Sequence, residues 1–171
     1  MNAPLNTLQA NASGFFDKVQ NKHADKMVCR AGCSKCCYVD LSVFSVEANH
    51  ISDWFQALSP ERKAELRTLW KSELKDGENA NGKKEKSCAF LKNEMCTIYE
   101  VRPLICRTQG APLFFQELNS FDVCPLNFSN SEIPPREDWL NVDRLNTLLA
   151  MLQGESQKRV RLFDLMTELL S

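Results

Sequence analysis

Eight cysteines are the residues of this chain best equipped for chemistry, at positions 29, 33, 36, 37, 88, 96, 106 and 124. Four fall within nine positions, as Cys29-Arg-Ala-Gly-Cys33-Ser-Lys-Cys36-Cys37, and the others follow as Cys88-x7-Cys96-x9-Cys106-x17-Cys124. Thiolates are soft ligands that suit zinc and iron–sulfur clusters, and eight are enough for two four-thiolate sites. On one straight helix the first four would share a face but spread on the order of 12 Å along the axis. Thiolates on one zinc, each about 2.3 Å from it, lie only roughly 4 Å apart. Either the segment breaks at Gly32 or its cysteines divide between sites. The long second set fits ligands carried to a common place by several short turns.

Two other uses of cysteine compete. Buried thiols acting as small hydrophobes would explain a few of them but not the spacing. A disulfide framework fits the even count. However, Met1-Asn2-Ala3-Pro4-Leu5 shows no basic stretch leading into an apolar one, so the expected compartment is the reducing cytoplasm. Metal ligation is the best reading. Arg30, Lys35, Lys92, Arg102 and Arg107 all stand within a few residues of cysteines, and basic neighbours favour the thiolate form.

The elements that must position these thiols can be read from pattern. With 171 residues and a net charge of −1, the chain is long enough for one core and lacks the basic excess of nucleic-acid binding. The longest apolar run, Leu148 to Leu152, is far too short to span a membrane. Neither a nucleic-acid nor a membrane partner is expected, and no protein partner can be named. Residues 1–26 read as a modest amphipathic helix with Leu5, Leu8, Phe15, Phe16 and Val19. Val39, Leu41 and Val43 alternate with polar residues, as in a short extended segment. Ser45 caps a helix with Ile51, Trp54, Phe55 and Leu58 on one face, and Ser59-Pro60-Glu61 starts another with Leu66, Leu69, Trp70 and Leu74. Residues 76–86 read as a surface loop, and Cys88 to Cys96 as a small hairpin turning at Lys92-Asn93-Glu94. Pro103, Pro112 and Pro125 predict short, broken structure through residues 87–128. Trp139, Val142, Leu145, Leu148, Leu149 and Leu152 form a helical stripe ending near Gly154. Val160, Phe163, Met166 and Leu170 form a second, expected to pair with the first as a hairpin. The fold class is mainly α: a small helical domain around an irregular, cysteine-rich metal-binding centre with short extended segments. Its expected parts are residues 1–26, 27–128 and 129–171.

The cluster C-x3-C-x2-C-C resembles one family when read with Cys88-Ala-Phe-Leu, then Cys96-Thr-Ile-Tyr-Glu-Val-Arg-Pro-Leu-Ile-Cys106-Arg, then Cys124-Pro. It is the YkgJ or CxxCxxCC family, described as chelating zinc or iron. The likeness covers roughly residues 27–128. Three residues separate Cys29 from Cys33 where the family's short name implies two. The resemblance implies metal ligation by Cys29, Cys33, Cys36, Cys37, Cys88, Cys96, Cys106 and Cys124. The cofactor would be zinc, iron or an iron–sulfur cluster. No reaction is implied; the alternative is an iron–sulfur oxidoreductase or electron-transfer protein. Around the thiols, Arg102 or Arg107 could donate to sulfur, Pro103 would fix the chain, and Tyr99 would pack against the centre.

Enzymatic readings find little else. Cys29-x3-Cys33-x2-Cys36 also has the spacing of a radical-SAM motif. A full barrel of that kind needs about 250 residues, and only 135 follow Cys36. No glycine-rich phosphate loop is present, and His23 and His50 lie far apart, outside the clusters.

Overall fold

A computed structural model describes residues 3–73, 87–128, 133–154 and 158–171. The loop expected at 76–86 lies outside them. In chain order the helices are α1 (Ala3–Lys22), α2 (Ser45–Ala57), α3 (Pro60–Glu73), α4 (Leu104–Thr108), α5 (Val142–Gln153) and α6 (Leu162–Leu170). The strands are β1 (Ser42–Phe44), β2 (Leu91–Lys92), β3 (Met95–Cys96), β4 (Leu113–Phe115), β5 (Ser120–Asp122), β6 (Leu140–Asn141) and β7 (Arg159–Arg161). Helix dominates, as expected. Among the described residues no helix is long and apolar enough to cross a membrane. The chain forms two compact units, one from residues 32–102 and 157–171, the other from 2–31 and 103–156.

In the first unit, β1 and β7 pair antiparallel with Val43 opposite Val160. Residues 42–44 put Val43 and Phe44 inward and run directly into α2. At that junction the Phe44 N–H, an end group no helical carbonyl can satisfy, donates to Glu47 Oε2 at 3.3 Å. Helix α3 starts as its sequence dictates: Ser59 Oγ accepts the Arg62 N–H, and Pro60 is the first helical residue. The buried faces of α2 (Ile51, Phe55) and α3 (Leu66, Trp70) meet Leu162, Leu165, Met166 and Leu169 of α6 in one core. Trp70 stands at its middle, fully buried between the rings of Phe55 and Phe90. Its indole N–H donates to Thr97 Oγ1 at 2.9 Å, and that hydroxyl donates to the Phe90 carbonyl. Burying so large a side chain is worth on the order of 2–3 kcal/mol. Here it also fixes the chain on either side of the β2–β3 hairpin. The hairpin pairs Leu91 with Cys96 and Lys92 with Met95. Its two turn residues, Asn93 (φ 49) and Glu94 (φ 61), are both left-handed, as a tight hairpin of type I′ demands.

In the second unit, α1 packs on the short α4, and β4 lies between antiparallel β5 and parallel β6. Trp139 is the expected start of the apolar stripe but precedes the helix. Its ring lies against Phe114 and Phe121, and its N–H donates to the Pro134 carbonyl. Asn141 caps α5 by accepting the Arg144 N–H at 2.9 Å, and Gly154 (φ 74) ends it, as the sequence predicted.

The C-terminal pattern resolves differently from the expectation. Residues 159–161 alternate Arg-Val-Arg and form β7, so Val160 belongs to a strand. Helix α6 then buries Leu162, Leu165, Met166 and Leu169 and leaves Phe163 exposed. Apolar residues at both 162–163 and 165–166 make two overlapping stripes, and pairing of β7 with β1 selects one. The two C-terminal helices fall in different units, α6 packing on α2 and α3.

Candidate metal centre

All eight cysteines are thiols, with Cys33 and Cys36 exposed and the other six half-buried. The first unit carries Cys33, Cys36, Cys37, Cys88 and Cys96; the second carries Cys29, Cys106 and Cys124. Gly32 (φ 85) breaks the first cluster, one of the two outcomes the spacing allowed, so no single helix carries it.

Two short segments, tied to each other through main chain, carry four of the first unit's five thiols. Cys36 and Cys37 lie in a single 3₁₀ turn, Lys35–Cys37, closed by the Cys37 N–H donating to the Ser34 carbonyl at 2.7 Å. Cys88 precedes the hairpin and Cys96 lies in its second strand. The Cys88 N–H donates to the Cys37 carbonyl at 2.7 Å, joining the two segments through main chain. The thiols of Cys36 and Cys37 are hydrogen-bonded to each other. Cys96 lies close enough to both Cys36 and Cys88 for charge on one to oppose ionisation of the next. Cys33 stands exposed in the turn after Gly32.

The electrostatics of this group favour thiols while no cation is present. The Cys36 pKa is driven far up by its hydrogen bond to Cys37, then by partial burial and the Cys37 charge. Burial raises Cys88, and the Cys96 charge adds to it against the opposing effect of Lys92. Burial likewise raises Cys96; the Cys36 charge works in the same direction and Arg102 works against it. Among the described residues, no three His, Cys, Asp or Glu side chains are already drawn together to hold an ion. The donor chemistry nevertheless fits zinc or iron: four soft sulfurs, carried on two segments tied by a main-chain hydrogen bond.

In the second unit the Cys29 sulfur accepts an N–H from the buried Asn127 amide at 3.3 Å. The same amide donates to the Gly110 carbonyl, and its oxygen accepts the Val28 N–H. Gln20 Nε2 donates to the Cys29 carbonyl at 2.6 Å. Gly110 (φ 96) passes so close that a Cβ there would lie 2.5 Å from Cys29 Sγ. Cys106 lies in α4, with its N–H bonded to the Pro103 carbonyl, and Cys124 accepts the Asn127 N–H at its carbonyl.

The basic and aromatic neighbours are only partly where they were expected. The Arg102 guanidinium lies 3.7 Å over the Tyr99 ring and donates to the Tyr99 carbonyl; its charge also favours the Cys96 thiolate. Tyr99 is 61% exposed, so it does not pack into a centre. Arg107 donates to Ser13 Oγ at 3.2 Å. The residues that sequence reasoning missed are Ser34, Tyr38 and Glu94 in the first unit and Asn127 in the second. Only Glu94 carried a signal: it occupies a tight-turn position that glycine usually fills.

A family model described as "CxxCxxCC: Putative zinc- or iron-chelating domain" matches residues 28–125. The chain belongs to this family. No curated protein and no solved structure matches it.

Proposed function

We propose that this protein binds a metal through its cysteines, with Cys36, Cys37, Cys88 and Cys96 forming one four-thiolate centre. The observation that carries the grouping is the main-chain bond from the Cys88 N–H to the Cys37 carbonyl, which ties the two cysteine-bearing segments together within one compact unit. Cys29, Cys33, Cys106 and Cys124 are proposed as further ligands, on the strength of the eight-cysteine family pattern. Zinc is the ion proposed first, while iron or an iron–sulfur cluster would be held by the same four-thiolate set. Such a centre requires a compartment that keeps thiols reduced, as the cytoplasm does.

The test is metal analysis of protein purified without oxygen and without added metal, beside its visible spectrum. The expected sample is colourless and holds at least one zinc per chain. Iron with matching acid-labile sulfide and a brown colour would make the centre an iron–sulfur cluster, the electron-transfer alternative. Cys36→Ser or Cys96→Ser should remove the metal of this centre, whereas the triple variant Cys29→Ser, Cys106→Ser, Cys124→Ser should keep it. Full retention in Cys36→Ser and Cys96→Ser would overturn the grouping.

A further inference from the structure

Glu94 is an anomaly until its side chain is followed. Its φ of 61 is a conformation that side-chain-bearing residues other than Asn and Asp rarely adopt. A hairpin turn alone would be served better by glycine there. The Glu94 carboxylate accepts from two hydroxyls: Tyr38 Oη donates to Oε1 at 2.8 Å, and Ser34 Oγ donates to Oε2. Ser34 and Tyr38 stand immediately outside the 3₁₀ turn that carries Cys36 and Cys37. Cys96, two residues beyond Glu94, lies in the second strand of the hairpin. One carboxylate therefore clasps both ends of the Cys36–Cys37 turn to the tip of the Cys88–Cys96 hairpin. The Cys88–Cys37 main-chain bond secures the other end of the hairpin.

We infer that Glu94, through Ser34 and Tyr38, is the positioning residue that holds the Cys36–Cys37 turn against the Cys88–Cys96 hairpin, so that a metal ion has only to draw the thiols of two already tethered segments inward. The inference rests on the four-thiolate reading above. Glu94 holds no metal itself. It removes the freedom of the turn relative to the hairpin before metal arrives, and a backbone conformation unfavourable to glutamate persists because its carboxylate makes these bonds. Supporting groups of this kind typically change metal affinity about tenfold to hundredfold when removed.

The experiment titrates cobalt(II) into the reduced, metal-free, full-length protein without oxygen. The thiolate-to-cobalt charge-transfer band is followed, and zinc competition gives its affinity. Glu94→Gly removes the carboxylate while supplying the residue best suited to the left-handed backbone. Its metal-free melting temperature should not fall, yet cobalt affinity should drop about tenfold or more. The band at saturation should keep its wild-type intensity, because the ligands are unchanged. The double variant Ser34→Ala, Tyr38→Phe should lose affinity to a similar degree, and combining it with Glu94→Gly should add little, since all three belong to one interaction. Affinities within twofold of wild type in both variants would overturn the inference. So would an altered band at saturation in Glu94→Gly with full affinity in the double variant, which would make Glu94 a ligand. A wild-type protein that binds no cobalt would remove the four-thiolate reading and this inference with it. Binding by wild type with unchanged variants removes the inference alone.

Discussion

Gly110 shows how one residue type can be dictated by a neighbour distant in sequence. Its φ of 96 already disfavours a side chain, and an added Cβ would meet Cys29 Sγ at 2.5 Å, Asn127 Nδ2 at 3.3 Å and the Phe16 ring at 3.4 Å. The sulfur and the buried amide cannot both yield, because Asn127 is held by Val28 and by Gly110 itself. Gly110→Ala should therefore cost roughly 1–3 kcal/mol in denaturant unfolding, the range seen when a packed site is overfilled. An unchanged midpoint would mean that the Cys29 seat is looser than the structure shows. Residue identity at the thiols was readable in advance, and the break at Gly32 was one of two outcomes the spacing left open. The seat of Cys29 was not, because the amide that donates to it comes from almost a hundred positions further along the chain.

At the scale of elements, the end of α1 is tied to the turn before β6 by charge. Asp138 is buried, and its Oδ2 receives Lys22 Nζ at 2.7 Å and lies 2.8 Å from His23 Nε2. Burial alone would raise the Asp138 pKa. The hydrogen bonds from Lys22 and His23 outweigh it and hold the carboxyl below its ordinary value, about 3.9 in an unfolded chain. The contribution is thus complete above that value and is lost as pH falls through the depressed folded pKa. Lys22 is raised by the hydrogen bond to Asp138, so its share fades only as pH rises through a value above the usual lysine range. Asp138→Asn should lower stability at neutral pH by about 1–3 kcal/mol, and the gap to wild type should narrow in strong acid. Unfolding midpoints measured from neutral pH down to pH 2 would check this, and a gap constant with pH would refute the assignment. The helix start at Pro60 and the end at Gly154 were legible from local signals, whereas the start at Val142 was not, because the apolar stripe continues back to Trp139. The face of α6 was not: its two apolar stripes are locally equivalent, and only the β1–β7 pairing distinguishes them.

For the molecule as a whole, metal and fold should be linked. A ligand that binds only the folded chain stabilises it by about 2.7 kcal/mol at a hundred times its dissociation constant. Zinc added to reduced protein should raise the unfolding midpoint of wild type by an amount of this order and leave Cys36→Ser, Cys96→Ser nearly unmoved. Chemical unfolding followed by Trp fluorescence is the natural readout, since Trp70 lies in the core that anchors the hairpin. Equal shifts in wild type and variant would place the bound zinc elsewhere.

Composition, spacing and motif by themselves determined the sulfur donor chemistry, a mainly helical frame and membership of a zinc- or iron-chelating family. These properties are carried by residue type and short-range pattern, which one strand of sequence contains in full. Only the tertiary structure decided that Cys33, Cys36, Cys37, Cys88 and Cys96 fall in one unit and that Cys29, Cys106 and Cys124 belong to the other. It also decided that Glu94 reaches back to Ser34 and Tyr38. Those outcomes depend on which distant segments share a core. Trp70, Phe90 and Thr97 settle that by packing and a chain of hydrogen bonds, with no local signature in the sequence.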